Sequence, residues 1–311
     1  MDNERRVAVV GAVNVDLCGT PSTAYLPGDS NPGCVRLGMG GVGRNIAENL
    51  RRLGYAVELV TALGDDGNAL SVRRSCQELG IGLSHSLVVP GARTGAYLCL
   101  NDERGELVGA VSDMGICEAL TPEALQKRLD MLNRCVLVVL DANLPQRTLT
   151  YLSQNLTVPV FADPVSVKKA RRLSGALAGL TAVKPNIPEA ECLSEVAIRS
   201  DSDLPRAAQR LHALGVRLVF ISLGGRGAYY DDGHTRGLCP CVPGTVVNTT
   251  GCGDAFMAGA AHAWLSGAGA VQTAQTGLAA ASLCAASDQS VNPLISREAL
   301  APWICSEGGA L

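Results

Sequence analysis

The stretch Asn248-Thr249-Thr250-Gly251-Cys252-Gly253-Asp254-Ala255-Phe256-Met257-Ala258-Gly259 carries a clear chemical signal in this sequence. A loop of small residues runs into an apolar helical pattern, with a carboxylate in its first turn. The backbone N–H groups of Gly251, Cys252 and Gly253 would point at an anion. The helix adds roughly half a positive charge at that end. An anion hole beside a carboxylate is what phosphoryl transfer to an alcohol requires: charge stabilisation and an acceptor for the hydroxyl proton. Asp254 alone would be an ordinary helix-dipole carboxylate; the combination is more specific. An aspartate with an ordinary pKa of about 3.9 is a weak base, which a loose, late-acidifying transition state tolerates.

A second glycine cluster, Gly38-Met39-Gly40-Gly41-Val42-Gly43, satisfies G-x-G-x-x-G and precedes a helical pattern at Arg44. A dinucleotide site needs a core strand before it and an acidic residue about 20 positions on. Glu58 stands near that position but starts a strand, and the stretch Cys34–Leu37 is short and contains Arg36. Two other readings remain. The glycines let backbone amides approach a polar ligand at a helix N-terminus, with Asn45 as side-chain donor and acceptor, or they form a plain turn. No Gly-Lys-Ser, Gly-Lys-Thr, His-Arg-Asp or Asp-Phe-Gly occurs, so P-loop and protein-kinase patterns are absent. His85, His212, His234 and His262 show no metal or triad spacing.

The elements that must position these residues read as α/β. Apolar runs at Arg6–Val10, Val57–Leu63, Val136–Leu140, Val158–Phe161, Leu180–Val183 and Leu218–Ile221 are strand-like. Between them, Ile46, Ala47, Leu50 and Leu53 make a helix face closed by Gly54. Pro122–Leu132, Pro188–Val196 and Pro205–Leu214 start with a proline suited to a first turn. Continuous apolar strands alternating with helices predict a mainly parallel sheet covered on both faces. Polar residues follow each strand: Asp141 and Asn143, Asp163 and Ser166, Lys184 and Asn186, Ser222 with Gly224 and Gly225. Ligands of such sheets bind outside the carboxyl ends of the strands. One region differs. Gly95–Leu100 and Glu106–Val111 flank Asn101–Gly105 as a hairpin, and the extended stretch Gly33–Leu37 could pair with it. This predicts a small β-sheet projecting from the body.

Composition excludes other classes. With 26 basic against 29 acidic residues and no basic tract, a nucleic-acid surface is not expected. The 12 cysteines are irregularly spaced without Cys-x-x-Cys, so neither zinc nor a disulfide framework is read. Cys99, Cys135 and Cys284 lie in apolar runs as small buried hydrophobes, and reduced thiols in a cytoplasm are expected. Met1–Arg6 followed by Val7–Val10 does not read as a signal peptide. The apolar region Ala255–Ala286 is broken by His262, Gln272 and Gln275, so no membrane span is expected. Glycine is in excess, at 35 of 311 residues, which suggests close backbone approach to a ligand.

Together these residues resemble the ribokinase-like (PfkB-type) carbohydrate and nucleoside kinases over nearly the full chain. The resemblance rests on Gly40-Gly41-Val42-Gly43-Arg44-Asn45-Ile46-Ala47, on Thr250-Gly251-Cys252-Gly253-Asp254 with Gly259, and on Asn186-Ile187-Pro188-Glu189 after Lys184-Pro185. It implies a three-layer α/β sandwich with a β-lid, one domain over 1–311, and lid segments at approximately 15–37 and 94–113. The shorter stretches Asp29–Gly33, Ser112–Met114 and Val158–Ser166 are similar to the pseudouridine-phosphorylating branch. ATP, Mg²⁺ and a small nucleoside substrate are implied, without nucleic acid or membrane, in a homodimer formed through the lid. Other family activities, on adenosine, ribose or a related nucleoside, and an inactive nucleoside-binding regulator are the alternatives.

Residue roles follow from the same resemblance. Asp254 would be the base, with Gly251, Cys252 and Gly253 around the transferred phosphoryl group. Asn14, Asp16, Gly40, Gly41 and Asn45 would hold the ribose, and Ser30, Tyr97, Asp113 and Lys169 the nucleobase or lid. Lys184, Asn186, Ser222, Gly224, Gly225, Gly227 and Thr249 would lie at the nucleotide, with Asn186 and Glu189 positioning Mg²⁺ through water. Many relatives carry Asp at the position of Asn248, where it helps bind a monovalent cation. A neutral Asn makes K⁺ dependence doubtful.

Overall fold

The computed structural model describes residues 5–304. The leader reading of residues 1–4 lies outside them. The strands of the two larger sheets are β1 (Arg6–Val10), β2 (Asn14–Pro21), β3 (Gly33–Gly40), β4 (Ala56–Val60), β5 (Ala96–Asn101), β6 (Leu107–Asp113), β7 (Leu137–Asp141), β8 (Val160–Asp163), β9 (Ala182–Val183), β10 (Leu218–Ser222), β11 (Ala228–Asp231) and β12 (Arg236–Cys239). The longer helices are α1 (Val42–Arg52), α2 (Gly67–Leu79), α3 (Gln146–Asn155), α4 (Ile187–Ser194), α5 (Leu204–Ala213), α6 (Cys252–Leu265), α7 (Ala270–Ala285) and α8 (Arg297–Ile304).

Eight strands form the central sheet in the order β12-β11-β10-β9-β8-β7-β1-β4. The six strands from β10 to β4 are parallel, and β11 and β12 close one edge antiparallel. Alternate side chains divide into two cores. Val7, Val9, Leu137, Val139 and Phe161 pack with Ile46, Leu50, Phe256, Leu278 and Leu300 of the helices on one face. Ala8, Val10, Val138, Leu140 and Ala162 pack with Leu149, Leu152, Ala190, Leu204 and Leu211 on the other. Both faces are apolar because both are covered, which is why the strands lack polar alternation. The chain is thus a three-layer α/β sandwich with a mainly parallel sheet and a small projecting one, as the resemblance implies. Among the described residues no helix is long and apolar enough to cross a membrane.

The projecting sheet has the order β3-β2-β5-β6. The extended stretch at Gly33 therefore does not pair with the hairpin; β2 stands between them, antiparallel to β3 and parallel to β5. In the register, Asp16 lies beside Gly38 and Tyr97, and Leu17 beside Leu37 and Leu98. Directly paired residues share a face. One face thus carries Asn14, Asp16, Tyr97, Arg36 and Gly40. The other carries Leu17, Val35, Leu37, Leu98 and Val111.

Two further sequence readings are corrected. Cys99 is buried as expected, but it forms a disulfide with Cys18, its register partner on β2. The partners are 81 positions apart, and only strand pairing brings them together. The segment read as one helix over Pro122–Leu132 is two short ones, Pro122–Gln126 and Leu129–Leu132.

Candidate active site

The parallel strands end at one edge, and that edge collects charge. Asp141 and Asp163 terminate β7 and β8 in register. Asp141 is fully buried; its carboxylate accepts the N–H groups of Ala12 and Asn143, each at 2.8 Å. Those bonds clamp the turn after β1 against β7, where the sheet order reverses, a position at which open α/β sheets bind ligands. Asp163 Oδ1 accepts Val165 N–H at 2.8 Å, and Oδ2 sits 3.3 Å from Lys184 Nζ. The sequence placed polar residues at these strand ends without assigning Asp141, Asn143 or Asp163 a role. The position after each apolar run was the signal for them.

Asp254 enters from the opposite side, in the first turn of α6. Asn45 of α1 donates Nδ2 to its Oδ2 at 2.9 Å. Burial lifts the Asp254 carboxyl well above its ordinary range, and the charge of Asp163 adds to the effect. The Asn45 bond and Lys184 oppose it, and Asp141 raises it further. The sequence treated Asp254 as an ordinary weak base; its surroundings make it a stronger one. Burial alone would favour a neutral Lys184 amine, but Asp163, Glu189 and Asp254 together raise its affinity for the proton. Lys184 is therefore a buried cation ringed by carboxylates. A Cβ on Gly253 would lie 3.2 Å from its Nζ, so the glycine loop passes directly over the ammonium.

That loop needs its glycine. Gly251 has φ +84, and a Cβ there would run into the Ser290 carbonyl. The expected set of three free amides is only partly present: Cys252 N–H donates to the Thr249 carbonyl at 3.3 Å. The amide of Gly253 lies in the first turn of α6, where helix N–H groups have no partner within the helix. Asn248 folds into the loop, accepting Thr250 N–H at 2.9 Å and reaching the Asp288 carbonyl at 3.4 Å.

At the root of the lid, the Asn14 amide donates to Asp16 Oδ1. Gly40 faces the Asp16 carboxylate so closely that no Cβ fits between them. Gly41 has φ +101 and caps α1 against the Ala12 carbonyl. Burial raises the Asp16 carboxyl, while the Asn14 bond and the charge of Arg44 oppose it. Tyr97 shares the Asp16 face. Asp113 does not: its partner is Ala96, so it lies on the opposite face and apart from the proposed ribose contacts. Ser30 sits in the exposed β2–β3 loop, where its N–H bonds Asp29. Lys169 Nζ donates to Asn143 Oδ1.

The nucleotide candidates line the far end of the edge. Ser222 N–H bonds the Pro185 carbonyl at 2.8 Å, tying β10 to the Lys184–Asn186 turn. Gly224 and Gly225 form an exposed turn ending at Gly227, and Thr249 is exposed. Asn186 and Glu189 form a reciprocal capping box on α4. Glu189 spends one oxygen on the Asn186 N–H at 3.0 Å, which leaves its other oxygen outside the cap. Among the described residues no three acidic, histidine or cysteine side chains cluster as a metal cage. One carboxylate and one amide fit a magnesium ion that keeps most of its water.

Comparison with known proteins follows this geometry. The pfkB family of carbohydrate kinases matches residues 4–297. Pseudouridine kinase of Escherichia coli K12 is 35% identical over 293 residues, covering 93% of each chain. Guanosine-inosine kinase of Exiguobacterium acetylicum is 26% identical, covering 81% of this chain and 85% of its own. A carbohydrate kinase structure from Agrobacterium tumefaciens superposes with TM-score 0.84 at 26% identity, covering 96% of this chain and 97% of that one. The family model covers nearly the whole chain, glycine loop, Asp254 and projecting sheet included, and the chain belongs to the pfkB family of carbohydrate kinases, which are phosphotransferases with an alcohol acceptor.

Proposed function

We propose that the chain uses ATP to phosphorylate the 5′-hydroxyl of pseudouridine, giving pseudouridine 5′-phosphate. The observation that carries the reaction is the meeting of Asp254, Asn45 and Lys184 beneath the Gly251–Gly253 loop. The likeness to the Escherichia coli pseudouridine kinase supports the substrate.

In this reading Asp16, Asn14 and the Gly40–Gly41 backbone hold the ribose diol, with Asn45 beside them. The 5′-hydroxyl faces Asp254, which accepts its proton as the oxygen attacks the terminal phosphorus in line. Gly253 and the rest of the loop receive the negative phosphoryl oxygens, and Lys184 supplies fixed positive charge next to them. Ser222, Gly224, Gly225, Gly227 and Thr249 border the nucleotide, and Lys169 and Ser30 approach the base from the lid side. Asn186 and Glu189 would hold a hydrated magnesium ion, which would supply positive charge to the phosphates. Residues 1–311 act as one kinase domain in the cytoplasm. The lid's outer face carries Val35 at 67% exposure, Leu37 at 67%, Leu98 at 55% and Val111 at 65%, and a second copy covers it.

A neighbouring reading, a purine nucleoside as acceptor, is favoured by the likeness to guanosine-inosine kinase. An ATP-consumption screen over pseudouridine, uridine, guanosine, adenosine and ribose separates them. The highest kcat/KM is expected for pseudouridine. Preference for guanosine, adenosine or ribose replaces the substrate, and tight nucleoside binding without turnover of any replaces the activity.

A further inference from the structure

We propose that Arg44 is a positioning residue: its guanidinium orients Asn45, and through it Asp254. The inference rests on the proposed kinase reading of the same site.

Arg44 is only 8% exposed. Its Nη1 donates to the Met39 carbonyl of β3 at 3.2 Å and to Asn45 Oδ1 at 3.4 Å. Nη2 reaches Ser75 Oγ of α2 at 3.4 Å and Glu48 Oε2 at 2.6 Å. One side chain thus joins β3 of the projecting sheet, the helix carrying Asn45, and α2. Buried ion pairs are seldom the cheapest way to hold a fold, since apolar packing often does as well. This one also leaves Nε buried without a hydrogen-bond partner. A purely structural contact would not favour that arrangement.

The geometry supplies a different use. An asparagine amide has nearly isosteric oxygen and nitrogen ends, and its hydrogen-bond partners decide which way it points. A donor on Asn45 Oδ1 fixes Nδ2 toward Asp254, where it lies 2.9 Å from the carboxylate. Without Arg44, Asp254 alone holds the Asn45 amide in that sense, and the Asn45 oxygen loses its donor. Arg44 is also the cation opposing the burial of Asp16. Around Asp16 stand Asn14 on its own strand, Gly40 and Arg36 on β3, Tyr97 on β5 and Arg44 on α1. Around Arg44 stand Glu48 on α1, Ser75 and Cys76 on α2, and Asp16 on β2. Glu48 is shared with Arg52 at 2.7 Å, so it does not fully cancel the guanidinium.

The test compares Arg44→Lys with Arg44→Met by steady-state kinetics across pH. Lysine keeps the charge but not the fork. For Arg44→Lys, kcat/KM for the nucleoside should fall roughly tenfold, and for Arg44→Met roughly a hundredfold. KM for ATP should stay within about twofold, because no ATP candidate touches Arg44. The acid limb of kcat/KM should move to higher pH in both variants, and further in Arg44→Met, because a less firmly oriented Asn45 stabilises the Asp254 carboxylate less. A change that only loosened the fold would not order the two limbs in this way. Wild-type kcat/KM and an unmoved acid limb in Arg44→Lys overturn the proposal, and that variant decides it even if Arg44→Met fails to fold. A wild-type enzyme that phosphorylates no nucleoside overturns the kinase reading instead, so the two failures are distinct.

Discussion

The sheet edge and the lid solve opposite problems. At the edge, Asp141, Asp163, Asp254, Glu189 and Lys184 are all buried, and helices on both faces of the sheet fix their positions. The lid is four strands with one face toward Asp16 and an apolar outer face exposed to solvent. The edge keeps charge where burial opposes it. The lid keeps apolar surface where water surrounds it. The lesson is that a phosphoryl-transfer site needs rigid, desolvated charge, whereas the projecting sheet has few contacts with the body and carries a cross-link between two of its own strands.

The contrast is broken most severely at Asp254. Asp254→Asn should lower kcat by about 10³-fold or more while nucleoside binding, read by calorimetry, persists. The same variant should melt higher at pH 7. The Asp254 pKa is raised in the fold, so the stability it contributes is full below the unfolded-state value and lost as pH rises through the folded one. An amide escapes that loss. A lower melting temperature would mean that the buried charge is not destabilising.

On the lid the effects should be smaller and fall on substrate capture. Leu37→Asp should convert a dimer to a monomer in sedimentation equilibrium and raise nucleoside KM roughly tenfold, with kcat within about threefold. A wild type that is already monomeric removes the partner from the argument. Reducing Cys18–Cys99 with a dithiol should expose two further thiols and speed amide exchange in β2 and β5. Nucleoside KM should change a few-fold, with the melting temperature of the body unmoved. Unchanged exchange would show that strand pairing alone holds the lid. The smallest effect concerns the Asn248 loop. Replacing K⁺ by a bulky organic cation should alter the rate less than about twofold, because a neutral side chain already bonds Thr250 N–H there. A strict K⁺ requirement would refute this.

Much of the body was legible beforehand. Apolar runs such as Val136–Leu140 need no partner to be recognised, because a strand buried on both faces is apolar throughout. Asp254 and Asn45 stand in compact motifs whose glycines serve the local turn. Residues joined only by strand pairing were less legible. Strand β2 begins with Asn14 and Asp16 and lacks a clean apolar pattern, so its place between β3 and β5 did not emerge. Nor, consequently, did the Cys18–Cys99 bond or the placement of Asp113 on the far face.

What the sequence by itself determined is the class of fold and the order of its chemical parts: a parallel α/β body, a glycine loop opening a helix, a carboxylate in its first turn, and a projecting hairpin. These are local patterns, set by periodicity and backbone conformation. Only the tertiary structure decided the electrostatics. Burial beside Asp163 makes Asp254 a stronger base, three carboxylates hold the proton on Lys184, and Arg44 donates to the Asn45 oxygen. Those properties depend on desolvation and on charges brought together from distant parts of the chain, and no spacing along the chain encodes them.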